Sequence, residues 1–329
     1  MRAFDYVRAT DAAAAVQAGG PDASYLAGGT TLLDLAKLDV MQPQRVIDVN
    51  DLTSQFGSIA SGAGGLHLGA FVHMAEAAAH PAVLRDYPVV AQSLLLAASP
   101  QIRNMATLGG NVLQRTRCSY FRDPSWAACN KRVPGSGCAA FDGVNRKHAV
   151  LGTSAQCIAT YPGDFAQALI ALDATVDIVD ASGPRVIPFA DLHRLPGSTP
   201  ERETNLAQGD LITGFTLPAL PWAKRSLYLK IRDRQSYEFA LASAAVALDL
   251  NGGIVRAARI ALGGVATKPW RAGEAEAALA GKPVSEETAR RAADVAFAGA
   301  VTHGENGFKV ELGKRTLTRA LLQAAAMEV

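Results

Sequence analysis

At 329 residues the chain is too long for one compact module, and two or three domains are expected. Apolar residues make up 49 %, which excludes intrinsic disorder. Charged residues are only 19 %, below the roughly 25 % of ordinary soluble domains, so part of the surface is expected to be covered by partners. No run of 18 apolar residues exists, which excludes a transmembrane helix, and the stretch around Asp5 and Asp11 lacks the apolar core of a secretory signal.

Thr10 or Asp11 is placed to cap a short alanine-rich helix that Gly19-Gly20 ends. A short apolar strand over 24–27 follows, then Gly28-Gly29-Thr30-Thr31, then the helical stretch LLDLAK. Strand, glycine turn and helix together form an anion-binding turn, because glycines admit a close ligand and free N–H groups at a helix start favour phosphate. Alone this is a weak signal, since glycine pairs mark ordinary turns more often than phosphate sites. Residues 45–50 read as a strand closing a first lobe, and 57–65, rich in Gly, Ser and Ala, as a turn or junction. Residues 66–70 alternate briefly, and 73–79 and 89–98 read as helices. A second glycine-rich turn spans 107–111, Thr-Leu-Gly-Gly-Asn, where Asn and Gly tolerate positive φ. Two such turns suggest a ligand with more than one phosphate or a long polar spine.

Net charge is only +2, but residues 101–150 hold eight Lys or Arg against Asp123 and Asp142. This basic island has few aromatics for base stacking, which disfavours nucleic acid as its partner. Every cysteine falls in or just beyond it: Cys118, Cys129, Cys138 and Cys157, spaced C-x10-C-x8-C-x18-C. Such clustering says that they act together. Disulfides suit an exported chain, zinc sites usually show a close C-x2-4-C pair, and four thiolates at long spacings suit a [4Fe–4S] cluster. On spacing alone all three readings stand.

Beyond the island a helix and strand are expected in PGDFAQALIALDATVDIVD, with further strands at 211–217 and 226–231. Apolar runs at 239–250 and 254–262 are joined by Asn251-Gly252-Gly253, a hairpin signal. Helices follow near 272–280, at 285–298 and at 314–327, the last with Leu317, Leu321 and Ala324 on one face. Helices on an antiparallel sheet give an α+β reading.

Four pieces, YLAGGTTLLDLAK, QIRNMATLGGNV, YPGDFAQALIALDA and LKIRDRQSYEFALASAAVAL, occur in the order and rough spacing of a known family. The chain resembles the FAD-binding middle subunits of the xanthine oxidase family of molybdenum hydroxylases. The resemblance covers essentially the whole chain. It implies an α+β fold with a two-lobed FAD-binding α/β region of the PCMH type and a C-terminal α+β domain. The expected units are 1–56, 57–222 with an iron–sulfur insert at about 112–163, and 223–329. It also implies that FAD lies on Leu26, Ala27, Gly28, Gly29, Thr30, Thr31, Leu32 and Leu33 and on Thr107, Gly110, Asn111 and Gln114. Asp164 matches an aspartate that contacts the cofactor, and Lys230 a lysine beside the flavin ring. Read from the residues alone, Asp164 is a helix cap and Lys230 a solvated strand-end charge.

In most members the second glycine loop runs almost directly into the P-x-x-D piece, whereas here about fifty residues intervene and carry every cysteine. The insert is most similar to that of aldehyde oxidoreductase flavin subunits, which implies a [4Fe–4S] cluster on Cys118, Cys129, Cys138 and Cys157. The neighbouring bases would offset its negative charge. The implied role is electron transfer in a heterotrimer: a large partner with the molybdopterin cofactor oxidises an aldehyde, a small partner with two [2Fe–2S] clusters passes electrons on, and FAD here delivers them to an external acceptor. No catalytic side chain is expected on this chain beyond the flavin. The rivals are a self-contained FAD-dependent oxidoreductase and a 4-hydroxybenzoyl-CoA reductase-like middle subunit. The expected compartment is the cytoplasm, or the periplasm by co-export with a signal-bearing partner.

Overall fold

The computed structural model describes residues 1–329. Three sheets succeed one another along the chain. The first is parallel, with β1 (Asp5–Arg8), β2 (Ala23–Leu26) and β3 (Arg45–Asp48) in the order β1-β3-β2. The strand expected to close this lobe is therefore its centre. Parallel pairing needs crossovers, and the helices Ala12–Ala18 and Leu32–Lys37 supply them. Asp11 is the cap of the first helix, its carboxylate accepting from the Ala14 N–H.

The second sheet is antiparallel, with β4 (Ile59–Gly62), β5 (Gly65–Gly69), β6 (Thr175–Asp180), β7 (Gly183–Pro188) and β8 (Leu211–Pro218) in the order β4-β5-β8-β6-β7. The stretch read as a junction thus contains an edge strand. Its small residues suit a strand paired on one side and exposed on most of its length. Helices Met74–Ala79, Pro81–Asp86 and Pro88–Leu95 follow β5 and pack on one another, and Phe165 meets Phe215 edge-to-face at 6.0 Å in the core of this sheet.

The third sheet is an antiparallel meander of β9 (Ser226–Ile231), β10 (Ala242–Asn251), β11 (Ile254–Gly263) and β12 (Trp270–Arg271). The Asn-Gly-Gly hairpin joins β10 to β11 as expected. Strand alternation divides β10 between two cores. Ala245 and Ala247 face the core shared with helix Phe165–Ala171, while Ala244, Val246 and Leu248 face the helices Gly273–Leu279, Glu286–Ala296 and Phe308–Ala325. Every residue of Phe165–Ala171 is buried, so this helix is a shared wall between sheets two and three. The last helix starts six residues before the expected 314. Gly313, which reads as a breaker, sits inside it because an added Cβ would lie 2.2 Å from the Phe297 ring. The early start puts Lys309 in the first turn, fully buried. No helix is long and apolar enough to cross a membrane.

Candidate functional site

The two glycine-rich segments meet. An added Cβ on Gly28 would lie 1.8 Å from the Met105 carbonyl oxygen, so the first loop packs backbone to backbone against the segment leading into the second. Between them opens a cleft, with Ala27, Gly28, Gly29, Thr30, Thr31 and Leu32 on one side and Thr107 and Gly110 on the other.

The two loops are not equivalent. Backbone N–H groups of Gly28, Gly29, Thr30 and Thr31 donate to no backbone carbonyl, and Thr31, at the start of helix Leu32–Lys37, makes no side-chain cap. The second segment is a short helix, Leu108–Val112, rather than an open turn, and its glycines have negative φ. Its donors are already used: Leu108 to Val72, Gly109 to Ala70, Gly110 to the Thr107 hydroxyl and Asn111 to the Thr107 carbonyl. Open anion donors therefore belong to the first loop, and the second supplies a wall. An unpaired row of N–H groups beside threonine hydroxyls is the donor set that a pyrophosphate requires, so the cleft fits FAD.

Leu26, Leu33, Asn111, Gln114, Asp164 and Lys230 do not line this cleft. Asn111 directs Nδ2 to the Met74 sulfur and leaves Oδ1 buried without a partner. Gln114 donates to the Asn111 carbonyl at 2.8 Å and borders a second, polar cleft. Asp164 and Lys230 find each other instead. The Lys230 ammonium lies 2.7 Å from Asp164 Oδ2, with the two side chains 1 % and 4 % exposed. Lys230 also donates to the Leu96 carbonyl, and the Tyr228 hydroxyl donates to Asp164 Oδ1 at 2.6 Å. Burial pushes the Asp164 carboxyl up, and Lys230 and Tyr228 pull against it. Asp164 stands at the cap position of Phe165–Ala171 but makes no cap with its side chain, and Lys230 is not solvated. The pair ties the start of helix Phe165–Ala171 to the third sheet.

All four cysteines line one small pocket. They are free thiols, and the insert around them has one four-residue helix, Ser119–Arg122, with isolated bridges Cys129–Cys138 and Ser154–Cys157. Backbone N–H groups of Tyr120 and Phe121 bear on Cys118, and that of Ala159 donates to the Cys157 sulfur at 3.4 Å. Arg132 fixes the turn after Cys118 by donating to the Tyr120 and Phe121 carbonyls at 2.7 and 3.0 Å. Burial pushes the Cys118 thiol up to about 12 and raises Cys138 and Cys157 as well. Those three thiols thus stay protonated until a cationic group displaces the protons. No three His, Cys, Asp or Glu side chains converge closely enough to hold a single metal ion. Four soft sulfur donors around one void, supplied with N–H groups, fit a polynuclear iron–sulfur group.

The basic island is largely neutralised from outside. Asp34 takes Arg117 and Arg122, Glu203 takes Arg115 and Lys131, and Asp233 takes Arg146, with Lys147 beside Asp233 and Glu238. Burial pushes the Glu203 carboxyl up, but Arg115 and Lys131 outweigh it and hold it below its usual range. The excess charge expected to offset a ligated cluster is thus mostly spent on these acids. Sequence reasoning missed Arg115, Met41, Phe71 and Asp210, which also line the glycine cleft. Only the basic count hinted at Arg115; nothing local marked the others.

Residues 2–220 match the family described as the FAD binding domain in molybdopterin dehydrogenase, and 227–324 the CO dehydrogenase flavoprotein C-terminal domain. The aldehyde oxidoreductase FAD-binding subunit PaoB of Escherichia coli is 47 % identical over 329 residues, covering 99 % of each chain. The glyceraldehyde dehydrogenase medium chain of Sulfolobus acidocaldarius is 27 % identical over 86 % of this chain and 83 % of its own. Among solved structures, quinoline 2-oxidoreductase from Pseudomonas putida superposes with a TM-score of 0.74 at 26 % identity, covering 98 % of this chain and 97 % of that one. Reconstituted CO dehydrogenase from Oligotropha carboxidovorans shares the fold, with a TM-score of 0.77 at 24 % identity over 99 % of both chains.

Proposed function

The chain belongs to the FAD-binding subunits of the xanthine oxidase family of molybdenum hydroxylases, and on that premise we propose that it is the electron-transfer subunit of an aldehyde-oxidising complex. In this reading it holds FAD in the glycine cleft and a [4Fe–4S] cluster on Cys118, Cys129, Cys138 and Cys157. The observation that carries the finer part is the convergence of all four cysteines on one cavity. The aldehyde class is supported by the near full-length match to an aldehyde oxidoreductase subunit.

When bound, FAD supplies the exchange between one-electron and two-electron carriers, and an iron–sulfur cluster supplies a one-electron relay. The chain's residues have other tasks. N–H groups from Gly28 to Thr31 hold phosphate oxygens, with Leu26 and Leu33 anchoring the loop at either end. Thr107 and Gly110 form the facing wall, backed by Asn111 and Gln114. The Asp164–Lys230 pair fixes the start of helix Phe165–Ala171 against the third sheet. Four thiolates hold the cluster, and their N–H partners spread its charge. Substrate oxidation falls to a large partner with the molybdopterin cofactor, and delivery to a small partner with two [2Fe–2S] clusters. The units proposed are 1–56, 57–222 and 223–329, supported by one sheet in each.

Metal and flavin content of the purified complex tests this. Expected are FAD, molybdenum and about eight irons, four of them from this chain. Cys138→Ser should remove about four irons and keep most of the flavin. An iron count unchanged by that substitution overturns the cluster, and a complex without molybdenum overturns the assembly.

A further inference from the structure

His148 is 5 % exposed beside the cysteines, and the function proposed above does not use it. Its Nε2 lies 3.1 Å from Cys118 Sγ, the one side-chain nitrogen or oxygen within hydrogen-bond distance of any of the four sulfurs. Its Nδ1 is buried and has no partner. A thiol could donate to the imidazole, but a thiolate has no proton and only accepts. Ligation by Cys118 therefore fixes the tautomer: Nε2 carries the hydrogen and points it at sulfur, and Nδ1 is bare.

The imidazole is held from several directions. The His148 N–H donates to the Asn145 carbonyl at 2.9 Å, and the His148 carbonyl accepts from the Lys309 ammonium at 3.1 Å. The Tyr120 ring stands 6.2 Å from the imidazole, tilted by 40°. Lys309 belongs to the last helix, so the C-terminal domain fixes the backbone from which the imidazole projects.

We propose that His148 is a positioning residue of the cysteine site, donating from Nε2 to the Cys118 sulfur and so raising the reduction potential of the iron–sulfur group that the four thiolates hold. The inference rests on the proposed cluster. A donor aimed at sulfur stabilises negative charge there, and the reduced state carries one more electron than the oxidised state. The bond therefore favours reduction, with no proton or ligand changing place. The other three sulfurs have no side-chain donor, which leaves His148 as the one such contact that substitution can remove.

The test is a redox titration of the intact complex, followed by electron paramagnetic resonance, for His148→Leu and His148→Gln. Both variants are expected to keep the wild-type iron count. His148→Leu should lower the potential of this cluster by about 59 mV, a tenfold change in the oxidised-to-reduced ratio for one electron. His148→Gln, which keeps an N–H, should stay near wild type. A leucine variant with full iron and an unchanged potential overturns the proposal, as does a glutamine variant shifted as far as leucine. If leucine loses iron, a glutamine variant with native iron and potential supports the donor, and loss in both overturns it. A wild-type complex without this cluster's iron overturns the cluster itself, a result distinct from all of these.

Discussion

The buried pair of Asp164 and Lys230 gives a sharp energetic test. At 2.7 Å the two charges attract by about 6 kcal/mol at an effective dielectric of about 20. Burying them costs several kcal/mol per ion, so the pair as a whole contributes little net stability. Removing one partner is a different matter, because the other is left charged or orphaned in a site only a few per cent exposed. Lys230→Met and Asp164→Asn should each destabilise the chain by about 3–5 kcal/mol. The double variant should cost less than the sum of the two, with a coupling of at least about 1.5 kcal/mol. Denaturant unfolding of all four proteins, with flavin content measured alongside, closes the cycle. Because the ammonium is already paired, Lys230→Met should move the flavin potential less than loss of a free charge would. Single variants within about 0.5 kcal/mol of wild type, or strictly additive losses, would refute the reasoning.

Gly28→Ala should abolish flavin binding or chain stability, since its Cβ would meet the Met105 carbonyl oxygen at 1.8 Å; flavin occupancy after purification measures it. Thr31→Asp should weaken FAD by placing a negative charge among the open N–H donors. Thr107→Val should destabilise the second segment by about 1 kcal/mol through loss of its cap, read from denaturant unfolding. Burial pushes Lys309 down to about 7, with Arg146 and Lys147 acting in the same direction and His148 the neighbouring titratable group. Its ordinary value is 10.5, so the unfolded chain binds more protons between pH 7 and 10.5, and the Lys309 contribution to stability rises across that window. Melting curves of wild type against Lys309→Met should diverge in favour of wild type as pH rises, by a few kcal/mol in all. Parallel curves would place Lys309 in a wetter site.

What was legible in the sequence was whatever rests on local chemistry. The Asn-Gly-Gly turn announced its hairpin, Asp11 its cap, and the two glycine pieces announced a cleft. Pairing partners were less visible. β4 hid in a Gly/Ser/Ala stretch because an exposed edge strand needs few apolar side chains. The second glycine segment looked like an open turn, yet Val72, Ala70 and Thr107, the first two far from it in sequence pattern, occupy its donors. Lys230 read as a solvated charge because its partner Asp164 lies 66 residues away. The cysteines could be counted and grouped from the sequence, but their meeting at one cavity depends on how the whole insert folds back.

That folding back has a consequence for how the protein is made. The insert is encoded between the glycine loops and Asp164, yet its far end is fastened by residues near the C-terminus. The Asn145 side chain accepts from the Glu305 N–H, Asn306 donates to the Ala149 carbonyl, and Lys309 grips the carbonyls of Lys147 and His148. During synthesis the cysteines leave the ribosome long before these fasteners exist. The proposed cluster is therefore expected to form after translation ends, and a chain truncated before residue 303 would lose these fasteners from the far end of the insert. Occupancy of the proposed cluster site would then double as a readout of complete chains.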